Sequence, residues 1–208
     1  MKTMAALLVA AVALPAAAQG EADNLRPLLS CTFGGDLKPV SASRLTSGMT
    51  WRTVETSAGP MRVSTADGYR MVLAFPDSEP FVNLKLERPA QGRLSEDRTA
   101  ILAQMTSFAA RPGAHVEPFK VAANNGVEVM GLNNGSLTGG VISMYTLIAE
   151  KSNVVATAYL LNQKPERRRF KSYAEFEALR DAFISSLSNC LANQSALIST
   201  GRPAPPQS

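Results

Sequence analysis

Between residues 50 and 162 the chain is cut into strand-length runs by turn signals too short to carry it across a sheet. Asn124-Asn125-Gly126 and Lys151-Ser152-Asn153 have hairpin-turn composition, as has Asp67-Gly68 between a run at 61–64 and one at 69–75. A parallel crossover takes about a dozen residues or more. Runs joined by such turns are therefore antiparallel neighbours. The run at 50–56 sets Trp51, Thr53 and Glu55 against Arg52, Val54 and Thr56, and Ala58-Gly59-Pro60 turns it into 61–64. Beyond Pro76 and Pro80, Val82, Leu84 and Leu86 alternate with Asn83, Lys85 and Glu87, the pattern of a strand with one wet face. Four more strands are expected at 115–122, 127–133, 141–150 and 153–162, with Asn134 to Gly140 as a longer loop.

Two segments change period. Ser95 is placed as an N-cap, with Glu96 and Asp97 opposing the positive end of the helix dipole. Ile101, Leu102, Met105, Phe108 and Ala109 then recur at helical spacing until Arg111-Pro112-Gly113, giving a helix over 96–110. Ser172 and Glu175 form a capping box ahead of a second helix, lined on one face by Phe176, Leu179, Phe183, Leu187 and Leu191. Residues 19–48, with Gly34-Gly35-Asp36, Pro39 and a serine-rich stretch, read as an irregular lead-in. Residues 195–208 read as a disordered tail. The whole describes one α+β domain over 49–194, an antiparallel sheet flanked by helices.

The first residues give the expected address. Lys2, the apolar run from Met4 to Leu14, and Pro15-Ala16-Ala17-Ala18 have the layout of a secretory signal peptide over 1–18, cut before Gln19. The run is shorter than the roughly 20 residues of a bilayer-spanning helix, and no later stretch is longer. The mature chain is therefore expected without a transmembrane segment, in the periplasm or secreted. It would keep 190 residues, and losing Lys2 lowers the formal net charge from +4 to +3, too little for a nucleic-acid binder. Cys31 and Cys190 are the two cysteines, and an oxidising compartment favours one structural disulfide between the ends of the domain. Leu28-Leu29-Ser30-Cys31 loosely matches a lipobox, but Glu21, Asp23 and Arg26 separate it from the apolar run.

Four passages carry a resemblance to a family. Gly68 to Pro76 is a strand ending in Phe-Pro; Val82 to Arg88 leads through a short loop to the first helix; Phe119-Lys120-Val121 with Gly126 to Met130 is the hairpin after it; and Ile142 to Leu161 precedes a last helix ending in Ile184-Ser185-Ser186-Leu187. From about residue 69 to 187 the chain resembles the PsbP-like α/β/α sandwich superfamily, which includes the bacterial DcrB-like proteins. The resemblance implies a non-enzymatic accessory or binding role with a partner that differs between members, and it carries no catalytic residues.

The remaining residues speak mainly against chemistry. His115 is the single histidine, and a triad would have to use it. There is neither a Gly-x-Ser-x-Gly elbow nor a Ser-x-x-Lys pair. One histidine and two paired thiols do not make a zinc site, and the Glu96-Asp97 and Asp77/Glu79 pairs suit a helix start and a turn better than a glycosidase. No cofactor is expected. Trp51 reads as a core residue. The one constellation that points outward is Arg167, Arg168, Arg169 and Lys171, with Phe170 and Tyr173 close by in sequence; guanidinium groups grip carboxylates and phosphates in pairs of hydrogen bonds. The expectation is a non-catalytic accessory protein of the cell envelope that contacts a protein partner or an anionic surface ligand through these four residues. A carrier of a small apolar ligand is the alternative, and a hydrolase of unfamiliar type using His115 is a third.

Overall fold

A computed structural model describes residues 25–46, 48–111 and 120–200. The expected signal peptide, His115 and residues 201–208 lie outside the described residues. In chain order the elements are β1 (Lys38–Thr46), β2 (Thr50–Thr56), β3 (Gly59–Thr65), β4 (Asp67–Ala74), β5 (Pro80–Arg88), α1 (Leu94–Ala109), β6 (Lys120–Asn124), β7 (Val127–Asn133), β8 (Val141–Ala149), β9 (Val154–Leu161) and α2 (Tyr173–Thr200). Seven strands form one antiparallel sheet in the order β1-β4-β5-β9-β8-β7-β6, and β2 and β3 form a separate ribbon. The fold is α+β, as the element pattern leads one to expect.

Alternation along the strands sorts two cores. On one face Met71, Leu73, Val82, Leu84, Leu86, Leu147, Ala156, Ala158 and Leu160 meet Phe176, Phe183, Leu187 and Leu191 of α2. On the other, Met130, Leu132, Ile148 and Val155 meet Ala100, Ile101 and Met105 of α1 together with Val54 and Val63 of the ribbon. The helix stripes thus cover opposite sides of the sheet, each buried leucine or phenylalanine contributing about 1.5–3 kcal/mol. An aromatic cluster closes the α2 side, with Phe81 5.2 Å from Phe75, 5.9 Å from Phe170 and 6.1 Å from Phe176 between ring centroids.

The hairpin turns fall where their chemistry requires. Asn125 and Gly126 both take positive φ, 50° and 77°, the conformation of a type I′ turn, between β6 and β7. Asn153 takes the left-handed conformation after a short 3-10 turn between β8 and β9.

Four sequence expectations are corrected. Asp67-Gly68 is not a hairpin turn: both residues belong to β4, and the chain passes at Ala66 from the ribbon into the main sheet. The Asp67 carboxylate is engaged otherwise, accepting hydrogen bonds from Gly68 N at 2.9 Å and from Arg44 Nε at 3.1 Å. Part of the irregular lead-in is ordered as β1, which pairs with β4 at the sheet edge, and residues Arg26–Ser30 form a 3-10 helix that buries Leu28. α1 starts at Leu94, so Ser95 lies in its first turn and makes no cap. α2 continues through the first part of the expected tail, to Thr200.

Cys31 and Cys190 form a disulfide, with Cα atoms 6.0 Å apart. It fastens the start of the described chain to α2. Phe33 packs on Phe183 at 5.8 Å, and Gly34 N donates to Ser186 Oγ at 3.1 Å along the same seam.

Candidate functional site

The basic segment between β9 and α2 is held from below. Gln163 is buried; its side-chain amide donates to the Glu79 carbonyl, and its Oε1 accepts from Arg169 N at 3.1 Å. Phe170 is fully buried in the aromatic cluster, so it is an anchor and offers no surface for stacking. Ser172 Oγ accepts from Glu175 N at 3.2 Å, and the Glu175 carboxylate accepts from Lys171 N at 2.7 Å, so the capping pair fixes the segment's last residues at the start of α2.

The four cations of this segment divide. Arg167, Arg169 and Lys171 are exposed. None of the three forms an ion pair among the described residues. Arg168 is drawn inward: its guanidinium lies 5.3 Å from the Phe170 ring centroid and its Nη1 is 3.5 Å from Asn162 Oδ1. Three cations therefore remain on one short, pinned connection, with Lys164 beside them 3.9 Å from Glu79.

Other cations are already used. Arg98 grips Glu128 through two hydrogen bonds of 2.6 Å, and this bonding raises its pKa against the opposing effect of partial burial. The cleft of about 360 Å³ beside Arg98 is thus lined by a neutralised pair. Burial alone would lower the Arg180 pKa, but the hydrogen bond it donates to Asp181 and the neighbouring Asp181 and Glu177 carboxylates lift it well above its ordinary value. Both guanidinium groups stay charged, and neither is available to an outside anion.

Trp51 is where the sequence reading fails most plainly. It is 43 % exposed on the ribbon, with Arg62 4.6 Å and Arg93 5.3 Å from its ring centroid. Val54 and Val63 take the inward positions of the ribbon against α1, which leaves Trp51 outside. Such cation–π contacts stabilise by about 0.5–1 kcal/mol at exposed sites.

The sheet face that carries α1 has a second polar region. β4, β5 and β9 place Arg70, Val72, Asn83, Lys85 and Tyr159 around a groove of about 340 Å³. A narrower cleft shares Lys85 and Tyr159 with that groove and adds Arg52 and Gln104. The sequence shows these residues as the wet positions of strands; the pairing of β5 with β9 brings Tyr159 opposite Asn83. Among the described residues no three His, Cys, Asp or Glu side chains stand together to hold a metal ion. No helix among them is long and apolar enough to cross a membrane. Comparison of the chain with models of protein families, with curated proteins and with solved structures finds no match.

Proposed function

We propose that the chain is an exported, non-catalytic accessory protein of the bacterial cell envelope that meets an acidic partner surface through Arg167, Arg169 and Lys171. The observation that carries this reading is the way these cations are presented. They stand on a connection whose backbone is fixed by Gln163, Phe170 and Glu175, and among the described residues they form no ion pair with a carboxylate. A preorganised set of donors loses little side-chain and loop freedom on binding. The Cys31–Cys190 disulfide suits an oxidising compartment. The layering of helices on both faces of an antiparallel sheet supports retaining the PsbP-like resemblance, whose members bind partners without catalysis. An apolar-ligand carrier gains less support, because the space between α2 and the sheet is occupied by Phe81, Phe170, Phe176 and Phe183.

The test is crosslinking in intact cells followed by affinity purification, comparing wild type with the Arg167→Ala/Arg169→Ala/Lys171→Ala variant. One dominant partner recovered with wild type and lost with the variant is the expected result. Equal recovery with both forms, or no partner with either, refutes the assignment.

A further inference from the structure

Arg70 and Lys85 are direct cross-strand partners between β4 and β5. Like charges placed opposite each other in a sheet destabilise it, and no carboxylate forms an ion pair with either residue among the described ones. Lys85 is half-buried, so its charge is not simply dispersed in solvent. Arg52 of β2 lines the adjoining cleft with Lys85, and its Nε is buried without a hydrogen-bond partner among the described residues. Glu87, which accepts from Thr65 Oγ1 at 3.0 Å, lines the cleft beside Arg52 and does not line the groove around Arg70 and Lys85. Arg70 and Lys85 thus line a groove whose other walls are Val72, Asn83 and Tyr159, and the narrower cleft that shares Lys85 and Tyr159 with it is lined also by Arg52, Glu87 and Gln104.

The geometry points to a binding site for a small polar molecule carrying carboxylate or phosphate groups, held between Arg70 and Lys85 in the groove formed by β4, β5 and β9. The volume of about 340 Å³ lies at the lower end of the range for small-molecule sites. An oxyanion between Arg70 and Lys85 turns their mutual repulsion into two charge-assisted hydrogen bonds. The Tyr159 hydroxyl and the Asn83 amide, on the walls of the groove, bond the uncharged part of the molecule. Val72 gives the floor one apolar contact. The site uses none of the residues of the basic segment before α2, so it stands or falls separately from the partner surface proposed above.

The experiment is a titration of the purified protein, followed by calorimetry and by amide chemical shifts, with citrate, glucose 6-phosphate and glucose as probes. Saturable binding of citrate, of glucose 6-phosphate or of both is expected, with shifts at residues 70, 83, 85 and 159, weakening as salt is raised. Citrate alone identifies carboxylates as the recognised group and glucose 6-phosphate alone identifies phosphates. The Arg70→Gln/Lys85→Gln variant should bind at least about tenfold more weakly while its melting temperature stays the same or rises, since a repulsive pair has been removed. The Lys38→Gln variant, which removes an exposed cation from the edge strand β1, should bind as wild type does. No saturable binding of either anion, equal binding of glucose, or affinity unchanged in Arg70→Gln/Lys85→Gln overturns the proposal.

Discussion

Tyr145 lies across Gly131. The two are direct partners in the ladder between β8 and β7, and the tyrosine ring fills the space that a β-carbon at 131 would need. The Tyr145 hydroxyl donates to Asn133 Oδ1 at 3.0 Å, two residues further along β7 on the same face. In an open strand, alanine in place of glycine would gain about 0.5–1 kcal/mol from the unfolded chain's lost freedom. At this position Gly131→Ala must push the ring aside, and overpacking of this kind costs about 1–3 kcal/mol. Urea unfolding should show a lower midpoint for Gly131→Ala and a partial recovery when Tyr145→Leu is added. An unchanged midpoint would mean that the ring relocates at no cost.

The disulfide closes a loop of 159 residues, for which chain-entropy arithmetic gives an upper figure of about 5 kcal/mol. The native seam has other fastenings, including the buried Leu25 and Leu28 and the Phe33–Phe183 contact. Cys31→Ser/Cys190→Ser should therefore still fold, with stability reduced by about 2–5 kcal/mol. Denaturant unfolding of the variant, beside wild type with and without a reductant, measures this. Wild type under reducing conditions should converge on the variant. Equal midpoints for all three samples would show that packing alone holds the seam.

What could be read in the sequence follows from which elements bury a single face. β7, β8 and β9 are marked by hairpin turns, and α2 has a phenylalanine and leucine stripe that needs a partner; these elements fall where expected. β1 gives no comparable signal, because as an edge strand it is exposed over most of its length and shows no alternation of burial. Asp67-Gly68 misleads because the aspartate serves its own neighbour and Arg44 rather than a turn. Trp51 misleads because a two-stranded ribbon has an outer face, and which face is outer depends on α1. The cations of the basic segment are visible as a charge run, yet the inward turn of Arg168 depends on Phe170 entering a cluster assembled from distant elements. The groove on the sheet was the least legible feature. Its two sides are joined by the β5–β9 pairing, between strands separated in the chain by α1 and three other strands.

The attachment of the ribbon offers the last prediction. A two-stranded hairpin is at best marginally stable alone, so β2 and β3 depend on what fastens them to the rest. Asp97, fully buried in the first turn of α1, accepts from both Ser64 N at 3.2 Å and Ser64 Oγ on β3. Ser64 Oγ in turn accepts from Ala90 N at 3.0 Å, in the connection from β5 to α1. The other carboxylate oxygen faces Arg93 at 3.7 Å, an ion-pair distance beyond hydrogen bonding. One carboxylate therefore links the ribbon, the helix and the end of β5. Removing it in Asp97→Ala leaves the Ser64 amide without its acceptor, at a cost of about 1–3 kcal/mol, and the loss should be felt first in the ribbon. Asp97→Asn keeps an acceptor oxygen and should cost less. Hydrogen exchange read residue by residue should show faster exchange across β2 and β3 in Asp97→Ala, with the central strands β5, β9 and β8 little affected. Uniform acceleration across both sheets would instead make Asp97 a contributor to global stability, and protection unchanged in the ribbon would show that the apolar contacts of Val54 and Val63 with α1 are sufficient to hold it.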